Sequence, residues 1–120
     1  MKKYFALILV IVMQTAQASQ LSERQALDAL GTAVKNLSSL SIECQIDDDC
    51  KNLEIGSKAC GGPQFFLLAS TQNHNYSIIK YLAEKTVGRE QAYNIRYEVN
   101  SDCSIPEDEP TRCLKNKCSY

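Results

Sequence analysis

Six cysteines constrain the fold of this 120-residue chain more than any other feature of its sequence. An even number of cysteines in a short chain is typical of a disulfide framework, which offsets the small hydrophobic core that such a chain can bury. Six cysteines allow fifteen different sets of bridges, and sequence alone does not select one. We therefore predict a small domain held by structural disulfides among Cys44, Cys50, Cys60, Cys103, Cys113 and Cys118.

The N-terminal segment has the three parts of a secretory signal peptide. Two basic residues, Lys2 and Lys3, precede an unbroken apolar run over residues 5–13. Small residues at Ala16 and Ala18 then occupy the positions that a signal peptidase reads. The apolar run is much shorter than the roughly 20 residues of a membrane-spanning helix. The pattern predicts cleavage after Ala18 and a mature protein that does not span a membrane.

Cleavage at this position leaves residues 19–120 as a single domain, located in the periplasm or secreted. The signal segment 1–18 holds two of the 13 basic residues and none of the 14 acidic ones, so 11 basic and 14 acidic residues give the domain a formal charge of −3. Nucleic acids and anionic membranes both attract clustered positive charge. We therefore expect no nucleic-acid partner and no broad basic surface, although composition does not exclude a local basic patch created by folding.

The spacing of acidic and thiol groups predicts no metal site and no cofactor. Only Cys113 and Cys118 are as close as the paired ligands of a structural zinc site, and no Cys-x-x-Cys redox motif occurs. Three consecutive aspartates at 47–49 invite comparison with a calcium loop. A calcium-binding EF-hand loop that began there would have Asn52 in place of its glycine and Lys58 in place of its final glutamate. We interpret the aspartates as a solvated acidic turn.

Apolar residues recur at helical spacing in two segments, at about 21–40 and about 72–99. The pattern predicts two main helices that pack on each other. In the longer second segment, the residues predicted to lie near one face are Ile78, Tyr81, Leu82, Lys85, Ala92, Ile95 and Val99.

Residues 41–70 are rich in turn formers, and we predict short strands there at 50–55 and 64–68. A terminal hairpin is predicted from Cys113 to Cys118. The fold class is therefore α+β and mostly helical, with a small cysteine-rich region of strands and turns that is stapled by disulfides. Because three cysteines follow the second helix, we expect a bridge from the middle of the chain to its tail. We expect Cys50 to pair with Cys118, and Cys60 with Cys103.

The cysteine-rich part of the chain also resembles a known group of proteins. It has an aspartate-rich Cys-x₅-Cys, an Ala-Cys-Gly-Gly-Pro turn at 59–63, a Ser-Asp-Cys at 101–103 and a closing Cys-x₄-Cys. From about Glu43 onward it resembles a loose group of small exported bacterial proteins of unknown function. The resemblance implies export and disulfides, and it implies no activity.

No motif supports a catalytic assignment, so we assign no catalytic residue. The leading hypothesis is an exported binding or effector-type domain that acts without catalysis on a protein or lipid partner. Its candidate contact is the Gly61-Gly62-Pro63 turn, as a partner site or as a backbone nest for an anion. One alternative is an envelope or secreted hydrolase that uses His74, the only histidine. The other is a protease inhibitor, because Lys58 and Arg112 each lie beside a cysteine in a predicted loop.

The disulfide prediction is checked by the intact mass of the exported protein, measured without reduction. Because each bridge removes two hydrogens, residues 19–120 will lie six hydrogens below the mass of the free-thiol form, and a thiol-blocking reagent will add nothing. Free thiols, or a metal retained in native spray, would contradict the prediction.

Overall fold

The computed structural model describes the backbone of residues 2–120 and the side chains at position 4 and at 7–120. About half of the chain is helical, and the strands form two small antiparallel sheets, which confirms the predicted α+β class. In chain order, the elements are α1 (Lys2–Ser39), a short 3₁₀ turn (Asp47–Asp49), β1 (Cys50–Ile55), β2 (Phe65–Ser70), α2 (Tyr76–Arg96), β3 (Arg112–Leu114) and β4 (Lys117–Ser119).

Helix α1 runs without a break from the predicted signal segment through the predicted helix at 21–40. The apolar side chains of residues 7–13 lie exposed along its first half. Among the described side chains of α1, the first to form a hydrogen bond outside the helix is Gln20, whose Nε2 donates to the Tyr93 hydroxyl over 3.4 Å. Cleavage after Ala18 stays a prediction. Neither helix in the described part of the chain combines the length and apolar character needed to cross a membrane.

Helix α2 begins later and ends earlier than the predicted span of 72–99. The buried Asn73 accepts the backbone N–H of Asn75 on its Oδ1 (2.9 Å), and its Nδ2 donates to backbone carbonyls at the end of α1, including that of Leu37 (3.0 Å). This side chain builds a turn that fastens α2 to α1 and delays the helix start. At the other end, Glu98 adopts a left-handed φ of 49°, which ends the helix.

The predicted face of α2 is wrong for most of its residues, although Leu82 packs against the core. Ile78, Tyr81 and Ile95 are 51%, 57% and 80% exposed, and Lys85 and Ala92 are exposed as well. The buried face lies on the opposite side of the helix and consists of Ile79, Ala83, Thr86, Glu90 and Tyr93. Thr86 and Glu90 are polar, and they can be buried because other segments of the chain supply hydrogen-bond partners for them.

The hydrophobic core lies where both helices meet the β1–β2 hairpin. Its buried members are Val34 from α1, Ile55 and Ala69 from the hairpin, and Ile79 and Ala83 from α2. The two strands pair antiparallel over their full length, from Cys50 opposite Ser70 to Ile55 opposite Phe65. The first strand is the one that the sequence predicts, and the second begins one residue later and ends two residues later than predicted.

Three disulfides join the middle of the chain to its tail. Cys44 bonds to Cys113, Cys50 to Cys118 and Cys60 to Cys103, so both expected pairings are confirmed. Bridges across 69 and 68 residues each stabilise a fold by about 4 kcal/mol in the chain-entropy account.

The predicted terminal hairpin is confirmed, and its turn is Lys115-Asn116, with left-handed φ angles of 50° and 59°. The segment before the aspartate turn adds to this hairpin: Cys44 N–H donates to the Asn116 carbonyl (3.0 Å), and Cys118 N–H donates to the Ile42 carbonyl (2.8 Å). The tail is therefore held both covalently and by backbone hydrogen bonds.

Two glycines give a matched test of the packing. Gly56 has a φ of +69°, and a Cβ there would collide with Oε2 of Glu90 and lie 2.8 Å from Cγ of Gln64. We expect Gly56→Ala to lower the free energy of unfolding by about 2–4 kcal/mol. Gly31 lies within α1, and a Cβ added there would meet open space, so Gly31→Ala will raise the free energy of unfolding by up to about 1 kcal/mol. Urea denaturation under oxidising conditions measures both, and equal effects would contradict this packing.

Candidate functional site

A groove of about 510 Å³ opens between α1, α2 and the end of the β1–β2 hairpin. Its floor includes the buried side chains of Leu27 and Ile55. Its rim is polar and carries both signs of charge, because Asp28 and Lys35 lie on it, about two helical turns apart on α1. Gly31 lies between them and leaves a notch, because no side chain fills the space above it.

Glu90 is the central charged group of this groove and is only 5% exposed. Its Oε1 accepts a hydrogen bond from Arg24 Nη1 at 2.6 Å, and its Oε2 accepts the backbone N–H of Ser57 at 2.9 Å. Gln64 Nε2 approaches Oε1 at 3.5 Å. A buried carboxylate is costly unless it is paired and hydrogen-bonded, and here three segments of the chain satisfy it.

Arg24 is one-third exposed and joins the buried carboxylate to the rim of the groove. Its Nη2 lies 2.8 Å from Asp28 Oδ1, and its guanidinium carbon lies 5.4 Å from the centre of the Tyr93 ring. Partial burial lowers the pKa of the Arg24 guanidinium, but hydrogen bonds to Glu90 and Asp28 outweigh that effect, so the pKa lies above its ordinary value. The arginine therefore stays charged and fixed.

The turn after β1 is fastened to α2 by further hydrogen bonds. Gly56 N–H donates to Thr86 Oγ1 at 2.9 Å, and that hydroxyl donates to the Ala83 carbonyl at 2.6 Å. Asn94 Nδ2 donates to the Ser57 carbonyl at 2.8 Å. Hydrogen bonds within the chain therefore hold the floor of the groove in place.

Sequence reasoning missed Glu90 and Arg24. They lie 66 residues apart, and neither belongs to a motif. A signal was present, however, because Glu90 falls in helical register with Ile79, Ala83 and Thr86. A glutamate in a row of small and apolar residues is a candidate for a buried, paired charge.

The Gly61-Gly62-Pro63 turn is tightly closed. Both glycines have left-handed φ angles, of 102° and 80°, and Pro63 is buried. Lys58 N–H donates to the Gly62 carbonyl, and Gly61 N–H donates to the Lys58 carbonyl, each at 2.9 Å. These glycines supply the conformation of the turn, and a partner-binding or anion-binding role for it stays a prediction.

Lys58, the cation beside this turn, forms an ion pair with Asp102. Lys58 Nζ lies 3.0 Å from Asp102 Oδ1 and 2.6 Å from Ser104 Oγ, and the lysine side chain is only 11% exposed. The backbone N–H of Ser104 and the ammonium of Lys58 lower the pKa of the Asp102 carboxyl to about 2. Lys58 is therefore not presented as an inhibitor's contact residue would be.

His74, the residue of the hydrolase alternative, lies just before α2. Its imidazole is exposed. Ser70 is buried, and its hydroxyl donates to the Glu43 carbonyl and accepts the Gln72 N–H. Ser77 is exposed on the first turn of α2.

The three aspartates of the acidic turn hold backbone groups and one lysine. Asp47 Oδ1 accepts the N–H of Cys113 at 2.7 Å, and Asp48 Oδ1 lies 2.6 Å from Lys51 Nζ. Backbone N–H groups of Gln45 and the next residue lower the pKa of the Asp49 carboxyl. These aspartates therefore fasten the tail hairpin and start β1.

Three buried sulfurs lie within 4.8 Å of one another, those of Cys44, Cys50 and Cys118. Each belongs to a disulfide, so none offers a thiolate to a metal.

No protein-family model, curated protein or solved structure matches this chain. The resemblance to small exported bacterial proteins therefore stays a prediction, and the assignment of a function depends on the side chains themselves.

The buried charge is tested by Glu90→Gln, which keeps the shape of the side chain and removes its charge. We expect a loss of about 1.5–3 kcal/mol in the free energy of unfolding, because Arg24 and the Ser57 N–H lose a charged acceptor. The matched control is Glu54→Gln, on the exposed side of β1, with a change below about 0.5 kcal/mol. Equal effects in urea denaturation would show that Glu90 is not a paired buried charge.

Proposed function

We propose that this protein is a non-catalytic binding domain of the periplasm or extracellular space, and that its groove holds a segment of a partner protein. The observation that carries this proposal is the hydrogen-bonded floor of the groove, in which the charged group Glu90 is satisfied from within the chain. A preformed site lowers the entropic cost of binding.

The chemistry of the groove favours a protein segment as its ligand. An apolar floor within a polar rim of both signs is typical of protein interfaces. Phe65 supplies an aromatic surface, with Lys35 Nζ 4.3 Å from the centre of its ring. Lipid and nucleic-acid sites need positive charge without matching acids, and this rim has Asp28 beside Arg24.

The polar groups of the groove already form hydrogen bonds within the chain, which favours binding over catalysis. The hydroxyls of Thr32 and Thr86 donate to backbone carbonyls, over 3.0 Å and 2.6 Å. The Glu90 carboxylate accepts hydrogen bonds on both oxygens. A nucleophile or general base would have to give up these bonds in order to react.

Two observations support an extracytoplasmic location. Three disulfides persist best in an oxidising compartment. In addition, α1 begins to bond to the remainder of the chain at Gln20, close to the predicted cleavage site. We therefore propose that residues 1–18 are a signal peptide and that 19–120 is the working domain.

Filling the notch tests this proposal. Peptides are selected from a random displayed library against the disulfide-bonded protein, and their affinities are measured for the wild type, for Gly31→Leu and for Ala29→Leu. We expect Gly31→Leu to weaken binding about tenfold or more, because its side chain occupies the groove. Ala29 is exposed on α1 outside the groove, so Ala29→Leu will change the affinity less than about twofold.

Peptides that bind both variants as tightly as the wild type would refute the groove as the binding site. Turnover of ester or peptide substrates that is lost in His74→Ala would instead favour the hydrolase alternative.

A further inference from the structure

The outward side of α2 carries an exposed apolar stripe. Ile78, Tyr81 and Ile95 expose half or more of their surface, and Ala92 is exposed between them. From position 78 to position 95 the stripe follows the helix for about 26 Å. Leu30 of α1 extends the surface sideways, because it lines a shallow groove together with Tyr81 and Ala92. We call these five residues the helical face.

Free positive charge borders the helical face. Lys85 and Arg89 are exposed and line the same shallow groove as Tyr81, with Glu84 as the one acid in that lining. Lys80 is also exposed, but it lines a separate groove beside Glu54. Within the described part of the chain, no carboxylate lies at ion-pair distance from these three cations. Lys85 Nζ lies 5.2 Å from the centre of the Tyr81 ring. Folding thus creates a local basic patch on a domain whose predicted net charge is −3.

We propose that the helical face binds an anionic lipid surface, with α2 lying in the plane of the headgroups. Isolated isoleucine and tyrosine side chains then enter the interface, while Lys85 and Arg89 remain at the level of the lipid phosphates. Long cationic side chains are suited to this position because their stems are apolar and their ends are charged.

Charge and size favour lipid over a protein partner at this face. Two copies of the face would bring like charges together, since Lys85 and Arg89 would meet their own counterparts. A stripe that is one helix wide and about 26 Å long also falls short of the roughly 800 Å² per partner of a stable protein interface. A headgroup layer requires no complementary shape, so a few exposed apolar side chains with nearby cations are enough.

The test is co-sedimentation of the exported, processed protein with vesicles made of equal parts phosphatidylglycerol and phosphatidylcholine, compared with vesicles of phosphatidylcholine alone. We expect binding to the anionic vesicles that weakens with salt. The double variant Lys85→Glu/Arg89→Glu will lower the partition coefficient about 30-fold. The variant Ile78→Ser/Ile95→Ser will lower it about tenfold, because two apolar side chains no longer enter the interface.

The matched control is Lys115→Glu/Lys117→Glu, which changes the net charge equally on the exposed terminal hairpin. We expect this control to change the partition coefficient by about twofold or less. All substituted positions are exposed, so circular dichroism will show unchanged folding. Gly31→Leu will leave vesicle binding intact, which separates this proposal from the function proposed for the groove.

Three results would overturn the proposal: equal binding to neutral vesicles, no binding to anionic ones, or equal losses in the two charge-reversal variants. A concentration-dependent dimer that Ile78→Ser/Ile95→Ser abolishes would also overturn it, because the face would then be covered by a second copy.

Discussion

Two disulfides, Cys44–Cys113 and Cys50–Cys118, hold the tail of the chain against the start of β1. They flank the acidic turn, whose Asp47 accepts the N–H of Cys113. The covalent bonds bring distant segments together, and the hydrogen bonds then fix their orientation. Because β1 starts at Cys50, this arrangement also positions the β1–β2 hairpin against the two helices.

The hairpin in turn decides which side of α2 is buried. The turn after β1 presents the N–H groups of Gly56 and Ser57 to the helix, and these bind Thr86 and Glu90. Arg24 reaches the same carboxylate from α1. Once these partners are in place, Thr86 and Glu90 can face inward beside the core residues of α2 without leaving a buried charge unpaired. Ile78, Tyr81 and Ile95 are left on the outside of α2.

Helix α2 therefore contributes side chains to two surfaces with different chemistry. Its inner side lines a groove of mixed charge and fixed hydrogen bonds, which suits a protein segment. Its outer side offers isolated apolar side chains beside Lys85 and Arg89, which suits anionic lipid. A domain of this size tolerates exposed apolar residues because disulfides supply part of the stability that a larger core would otherwise provide.

The sequence by itself determined the features that depend on local chemistry. Turn residues predicted β1 and the terminal hairpin, and helical periodicity predicted both helices. The two expected disulfides are confirmed, although the cysteine positions alone did not select them among fifteen sets. The sequence did not determine the inner side of α2, because counting apolar residues selects Ile78, Tyr81 and Ile95 for the core. It also gave no indication that Arg24 pairs with Glu90, since these residues lie 66 positions apart. Burial of a charge depends on partners that only folding brings within hydrogen-bond distance, so the tertiary structure alone decided where the groove and the helical face lie.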